Sequence, residues 1–247
     1  MSEMRPSRIN RPPCMAYLTA IPPSRRPAMR TFLSIGAGPG MGLETAERFA
    51  REGFRVILSA RNADRTRGLA AQLEAKGYAA EARAADAGDP ASVAALVESV
   101  EREFGGIDVL HYNAASMRRA ALAEQPRDTF TGDLAVNIGG AMAAAQAVAP
   151  GMAARGGGTI LLTGGGFGLQ PHPDYLSLSI GKAGIRALAH GLFERFRQQG
   201  IHVATVTVAG FVNPGSEDAK AVGERFWQLH AQPAGSWTVE ATYTPAG

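Results

Sequence analysis

A glycine-rich turn behind an apolar run is the first feature of the sequence that could support chemistry. The run Thr31–Ile35 leads into Gly-Ala-Gly-Pro-Gly-Met-Gly and then into a segment of helical composition. Any tight strand-to-helix turn can use glycine, but glycines at this point also let the backbone approach a pyrophosphate, which then rests against the helix N-terminus. The turn therefore predicts a nucleotide site, with contacts from Gly36, Gly38, Gly40, Met41 and Gly42.

A second candidate position lies at the end of the next apolar run, in Ser59-Ala60-Arg61. A carboxylate at such a position would accept a hydrogen bond from a free ribose 2′-hydroxyl and would repel a 2′-phosphate. Alanine stands there instead, while Arg61 can pair with a phosphate and Ser59 can donate a hydrogen bond. These residues favour NADP(H) over NAD(H). The alternative is that Arg61 is a solvated charge that caps a helix.

The elements that must position these residues alternate along the chain. Strand-like runs occur at 31–35, 54–58, 78–84, 107–111, 159–163 and 201–208. Helix-like segments occur at 42–52, 64–76, 90–104, 128–154 and 175–199, with a further helix at 217–231 and a short strand at 237–243. Short, continuous apolar strands are typical of a parallel sheet covered on both sides. We therefore predict an α/β fold: a Rossmann-like, doubly wound parallel β-sheet with helices on both faces, in a single domain over residues 30–247.

Composition excludes several classes of function. The chain has 247 residues, of which 45% are hydrophobic and 19% charged, and no stretch is apolar enough for a membrane span. Residues 1–29 hold five arginines against one acid, so the remainder carries a net charge of −1 and does not indicate a nucleic-acid partner. The single cysteine, Cys14, and the spacing of the other candidate ligands predict no metal site and favour a reducing, cytoplasmic location.

The first 29 residues form a separate segment, rich in proline and arginine and without hydrophobic periodicity. Such a composition is not expected to pack as a helix or strand. We predict a disordered extension, or a spurious one if translation starts at Met29.

Several short motifs in the same order resemble the short-chain dehydrogenase/reductase family. The glycine turn has the spacing G-x3-G-x-G, and further matches follow over nearly all of residues 30–215. The matching residues outside the turn are Asp86, Asn113-Ala114, Asn137, Ala209-Gly210 and Val212. The resemblance implies a nicotinamide dinucleotide bound by these residues, a small-molecule substrate, and a homodimer or homotetramer formed through segments 128–154 and 175–199.

The family's catalytic pattern is only half present. It implies a tyrosine that passes a proton to or from the substrate, a lysine one helical turn later, a serine that polarises the carbonyl, and an asparagine that supports a proton relay. Lys182 and Asn137 match the lysine and the asparagine. Leu178 stands at the tyrosine position and Gly165 at the serine position, which puts standard carbonyl reduction in doubt.

Tyr175 is the candidate replacement, because it precedes Lys182 by seven residues, close to two full helical turns. If Asp174 caps the helix, both side chains share one face, and Tyr-x6-Lys resembles the divergent enoyl-thioester reductases of the same superfamily. The alternative is that Tyr175 is an ordinary loop aromatic. His111 and His172 are weaker candidates that favour structural roles, and Thr163 lies two residues before the serine position.

Two hypotheses follow. The first is an NADP(H)-dependent oxidoreductase with a non-standard site that transfers hydride to or from a carbonyl, alcohol or enoyl substrate, using Lys182, Asn137 and Tyr175. The second is a catalytically inactive dinucleotide-binding protein that acts as a sensor or scaffold. Loss of the tyrosine and serine favours the second hypothesis, and retention of the lysine and asparagine favours the first.

Overall fold

Seven parallel strands form the centre of the molecule in a computed structural model that describes residues 29–245. The sheet order is β3-β2-β1-β4-β5-β6-β7. The strands are β1 (Thr31–Ile35), β2 (Arg55–Ala60), β3 (Ala80–Ala84), β4 (Val109–Tyr112), β5 (Gly158–Gly165), β6 (Ile201–Val208) and β7 (Glu240–Tyr243). Every pairing is parallel, which confirms the predicted doubly wound sheet.

Helices cover both faces of this sheet. They are α1 (Met41–Arg51), α2 (Ala63–Glu74), α3 (Pro90–Phe104), α4 (Phe130–Leu134), α5 (Gly140–Ala154), α6 (Leu176–Arg197) and α7 (Glu217–His230). Successive side chains of β1 point to opposite faces, as the pleat requires. Leu33 and Ile35 join a core cluster that includes residues of α3, α5 and α6, whereas Phe32 joins a second cluster with α1, α2 and α7.

The sheet reverses its strand order between β1 and β4, and a crevice opens beyond the carboxyl ends of these strands. The backbone is tight there. Gly36 has φ +83°, and a Cβ at this residue would lie 2.3 Å from the backbone nitrogen of Ala114. Only glycine lets the turn after β1 pass the end of β4 this closely.

The predicted helix over 128–154 is divided in the structure. α4 begins at Phe130, and a π-helical turn, Ala135–Gly139, joins it to α5. Asn137 lies in this turn, with its side-chain oxygen accepting a 2.6 Å bond from the Ser116 backbone. Single π turns inside α-helices are frequent at functional sites, and hydrophobic periodicity alone does not reveal them.

The start of α6 also differs from the prediction. The helix begins at Leu176, and Tyr175 has non-helical angles (φ −134°, ψ 41°), so Asp174 is not its N-cap. The carbonyl of Asp174 instead accepts a 2.8 Å bond from the backbone of Ala120, and Tyr175 forms an isolated bridge with the same residue. Pairing with the loop after β4 therefore keeps these two residues out of the helix.

Two further sequence predictions concern the N-terminal extension and membrane-spanning segments. The extension predicted over residues 1–29 lies, apart from Met29, outside the described residues. Within residues 29–245, none of the helices combines the length and apolar character needed to cross a membrane.

Candidate functional site

One cavity of about 720 Å³ lies at the carboxyl ends of the central strands. It runs from the end of β2, past the glycine turn, to the segment between β5 and α6. The lining residues include Gly36, Ala37, Met41, Ala60, Arg61, Asp86, Asn113, Ala114, Gly164, Gly165, Gly166, Phe167, His172, Leu178, Lys182, Gly210 and Phe211. Its position at the topological switch point is where ligands of open α/β sheets bind.

Part of the glycine turn, together with the first residue of α1, lines this cavity. The backbone N–H groups of Gly36 and Ala37 donate to the Ser59 carbonyl at 2.8 and 2.9 Å, which fixes the turn to the end of β2. Gly40 then caps α1, and no side chain makes a capping hydrogen bond there. Free N–H groups and the helix dipole at such an end attract a phosphate group.

The end of β2 carries one free cation at the cavity wall. Arg61 is exposed and lines the cavity, and no hydrogen bond or ion pair engages its guanidinium among the described residues. Asp86 lines the wall as well, with its Oδ1 accepting a 2.9 Å bond from the backbone of Gly88. A free guanidinium can pair with a phosphate in two-pronged geometry.

The structure places Ser59, a predicted phosphate contact, outside the lining of the cavity. Its side chain is fully buried, does not line the cavity, and has a hydroxyl without a partner among the described residues. Its contribution is the carbonyl oxygen that holds Gly36 and Ala37. Both faces of the sheet are covered, so the four central side chains of β2, including that of Ser59, are buried on one face or the other.

Lys182 lies at the far end of the cavity. Its Nζ donates a 2.7 Å bond to the carbonyl oxygen of Thr163, near the end of β5. Burial lowers the pKa of the Lys182 ammonium to about 8, because a charged amine loses hydration there. The lysine is therefore fixed by the sheet, with two further ammonium hydrogens that a ligand hydroxyl could use.

The neighbours of Lys182 lack the expected hydroxyl groups. Leu178 is buried at the cavity wall, where the phenol would stand. A Cβ at Gly165 would lie 3.2 to 3.4 Å from three carbons of the Lys182 side chain, so even a serine there would press on the lysine stem. The aliphatic part of the Lys182 side chain thus lies beside Gly165, which is the serine position of the family.

Asn137 is buried and fully engaged by its surroundings. Its Nδ2 donates to the carbonyls of Ser116 and Ser177 at 3.2 and 3.4 Å, in addition to the bond that its Oδ1 accepts. It does not line the cavity. In this arrangement the amide ties the loop after β4 to the beginning of α6.

Tyr175 belongs to an aromatic cluster behind the cavity wall. Its ring packs against Phe167, His172 and Phe211, with centroids 5.3, 5.5 and 6.2 Å away. These three neighbours line the cavity, whereas Tyr175 does not. Because the residue precedes α6, helical spacing gives no reason for its phenol to face Lys182, and that part of the sequence argument was wrong.

A buried chain of hydrogen-bonded side chains, which the sequence analysis did not predict, connects the central strands to the glycine turn. The Ser34 hydroxyl meets His111 Nδ1 at 3.1 Å, His111 Nε2 meets the Thr163 hydroxyl at 3.2 Å, and Thr163 donates to Asn113 at 2.9 Å. Asn113 in turn donates to the carbonyl of Gly36 at 2.9 Å. Burial, together with the charge of Lys182, lowers the pKa of His111 to about 3, so its ring is neutral. Polar residues that alternate with apolar ones inside the strands were the sequence signal that could have indicated this chain.

The predicted cofactor contacts divide into two groups. Gly36, Met41, Arg61, Asp86, Asn113, Ala114, Lys182 and Gly210 line the cavity. Gly38, Gly40, Gly42, Ser59 and Val212 do not. Gly42 lets α1 pack against Ala37 and Asn113, and Val212 packs on the core cluster beneath α1 and α7. Within residues 29–245, no group of three acidic, histidine or cysteine side chains is arranged to hold a metal ion.

Comparison with known proteins identifies the family. The family model described as short chain dehydrogenase matches residues 30–221. The chain is 30% identical to gluconate 5-dehydrogenase of Gluconobacter oxydans (strain 621H), over 83% of this chain and 80% of the relative. The protein therefore belongs to the short-chain dehydrogenase/reductase family, an oxidoreductase family, as the motifs indicated.

Solved structures show the same architecture. A metagenomic short-chain oxidoreductase in complex with NADP has a TM-score of 0.79 and 26% identity, covering 88% of this chain and 97% of that chain. An NAD+-bound xylitol dehydrogenase has a TM-score of 0.70 and 28% identity, covering 74% of this chain and 72% of that chain. The fold thus accommodates both forms of the dinucleotide in these similar proteins.

Proposed function

We propose that the protein is an NADP(H)-dependent oxidoreductase that transfers hydride to or from a small carbonyl, alcohol or enoyl substrate. The observation that carries the proposal is a single cavity that joins Arg61, the glycine turn and Lys182. A bound nicotinamide dinucleotide would supply the hydride in reduction and accept it in oxidation. The NADP-bound and NAD+-bound neighbours make the general ligand class a natural choice, and Arg61 favours the phosphorylated form.

Each part of the cavity has a role in this proposal. The first turn of α1 binds the pyrophosphate, and Arg61 binds the 2′-phosphate. Asp86 and Asn113-Ala114 flank the adenosine half, while Lys182 hydrogen-bonds the ribose next to the nicotinamide. Asn137 acts by positioning the loop after β4, since its amide is occupied by backbone groups.

Replacement of two family residues sets the expected rate. Leu178 and Gly165 offer no hydroxyl to a ketone oxygen, and losing one such donor costs on the order of 10²–10³ in rate. We therefore expect simple ketones and secondary alcohols to react slowly, and substrates whose oxygen is held by another group to react faster.

Binding and turnover should be measured separately. NADPH fluorescence titration should give saturable binding, and a panel of ketones, aldehydes and α,β-unsaturated thioesters should include at least one that is reduced. Lys182→Ala should weaken NADPH binding and lower turnover, whereas Lys220→Ala, which removes an exposed lysine of α7 paired with Glu217, should change neither. Absence of NADPH binding would overturn the proposal.

A non-catalytic dinucleotide-binding protein is the second candidate, favoured by the leucine and glycine at the catalytic positions. It predicts tight NADPH binding with no reduction of any compound in the panel. The Tyr175→Phe variant tests whether Tyr175 takes part in catalysis. An active parent with an unimpaired Tyr175→Phe variant would remove Tyr175 from the mechanism.

The resemblance to the family also supports a homodimer or homotetramer formed through α5 and α6. Met142 on α5 and Ile180 on α6 are 60% and 47% exposed, although both are large and apolar. Exposed apolar side chains on these helices fit an interface between copies of the chain.

A further inference from the structure

The wall of the cavity between β5 and α6 contains a histidine that the family pattern does not assign. His172 lines the cavity, half-buried, with its ring 5.4 Å from that of Phe167. Its backbone N–H donates to the hydroxyl of Ser179 at 3.1 Å, and that hydroxyl donates to the Tyr175 carbonyl at 2.8 Å. The beginning of α6 therefore holds the histidine in place.

One hydrogen bond to the ring of His172 indicates its tautomer. Nδ1 accepts a 3.1 Å bond from the backbone N–H of Asp174, so this nitrogen carries a lone pair. The proton of a neutral imidazole must then be on Nε2, which becomes a donor. Among the described residues, no hydrogen-bonding partner is found for this Nε2–H. The donor therefore belongs to a residue that lines the same cavity as Leu178, which replaces the phenol.

Aromatic and apolar side chains line the cavity together with His172. Phe167 and Phe211 line the same cavity, with their rings 6.0 Å apart and inclined by 78° to each other, and Leu178 and Met117 line it as well. Of the lining residues that the structure describes, the charged side chains are Arg61, Asp86 and Lys182, and the first two belong to the end near β2. Lys182, the remaining cation, is already bonded to the carbonyl oxygen of Thr163, so the aromatic side chains of this half suit a planar, uncharged compound.

We propose that His172 binds the oxygen of a planar, uncharged carbonyl substrate through Nε2–H, with the aromatic body of the substrate against Phe167 and Phe211. The inference rests on the proposed function, because it assigns the substrate half of the same cavity. His172 acts as a hydrogen-bond donor and keeps its proton, since loss of that proton would leave an imidazolate. The Nε2–H group polarises and orients the carbonyl. It takes the role that the family pattern gives to the tyrosine and the serine, whose positions hold Leu178 and Gly165 in this chain.

The test uses two probes that differ only in the oxygen: naphthyl methyl ketone and ethylnaphthalene. Binding to the protein saturated with NADP⁺ is followed by calorimetry or ligand-observed NMR, so that no turnover is required. His172→Asn retains an acceptor for the Asp174 N–H but is too short to replace Nε2, whereas His172→Gln places an amide N–H near the Nε2 position. NADP⁺ affinity is measured first for all three proteins, which separates failure of the cofactor site from failure of this proposal.

We expect the ketone to bind the parent about fivefold more tightly than ethylnaphthalene, as one neutral hydrogen bond of about 1 kcal/mol implies. His172→Asn should abolish this difference and leave ethylnaphthalene unchanged, and His172→Gln should restore part of it. Equal affinities of the parent for the two probes, an undiminished difference in His172→Asn, or failure of both naphthalenes to bind the NADP⁺-loaded parent would each overturn the proposal.

Discussion

Replacement of Arg61 gives the sharpest test of cofactor selection. The guanidinium is exposed at the cavity wall, has no partner among the described residues, and stands beside Ala60 rather than a carboxylate. A charge-assisted hydrogen bond contributes about 1.5–3 kcal/mol when shielded, and solvent places an exposed pair at the lower end of this range. We therefore expect NADPH to bind about tenfold more tightly than NADH, equivalent to about 1.4 kcal/mol.

Arg61→Ala should raise the Kd for NADPH about tenfold and leave the Kd for NADH within a factor of two. Fluorescence titration of both nucleotides measures these values directly. Arg67→Ala is the matched control, because Arg67 is an exposed arginine of α2 that pairs with Asp64 and does not line the cavity. Raising the ionic strength should reduce the preference of the parent for NADPH, since salt screens exposed charges.

Two results would refute this reasoning about Arg61. Equal affinities of the parent for NADPH and NADH would mean that the residue does not select the cofactor. Equal losses in Arg61→Ala and Arg67→Ala would mean that general positive potential, rather than a specific pair, attracts the nucleotide.

Three further predictions concern stability and assembly. Deletion of residues 1–28 should leave Tm within a few degrees and NADPH binding intact, because that segment is rich in proline and arginine and lacks hydrophobic periodicity; thermal melting and titration check this, and a collapse of Tm would contradict it. Light scattering at micromolar concentration should give a dimer or tetramer, and Met142→Glu with Ile180→Glu should shift it towards monomer, unlike Glu74→Lys on α2; a monomeric parent would refute the interface. Asp133→Asn should lower the free energy of unfolding by about 1–3 kcal/mol at neutral pH, because the buried carboxylate accepts bonds from Arg118, Ser116 and Ser177. Burial alone would raise the pKa of Asp133, but these bonds hold it below its ordinary value of 3.8. The difference in free energy of unfolding between the parent and Asp133→Asn should therefore be complete above pH 3.8 and disappear as pH falls through the lowered pKa. A difference in urea unfolding that does not change with pH would argue against this account.

The sequence by itself determined the architecture of this protein. Continuous apolar runs such as 31–35 and 201–208 can satisfy both of their faces only inside a covered parallel sheet, and the structure has strands at the same residues. The glycine turn was equally readable, because close backbone approach leaves few alternatives to glycine. Lys182 was identified because it matches the lysine position of the family pattern, and the structure places it in the cavity with the turn.

Only the tertiary structure decided what the side chains around Lys182 do. Helical spacing predicted that Tyr175 and Lys182 would lie on one face of a helix. Because Asp174 and Tyr175 pair with Ala120, the helix begins only at Leu176, and the phenol packs in the aromatic cluster instead. Ser59 was assigned to a phosphate and is buried within the sheet, whereas His172 became notable only once Asp174 was seen to fix its tautomer. Contacts between segments far apart in sequence determine these orientations, and local periodicity contains no information about them.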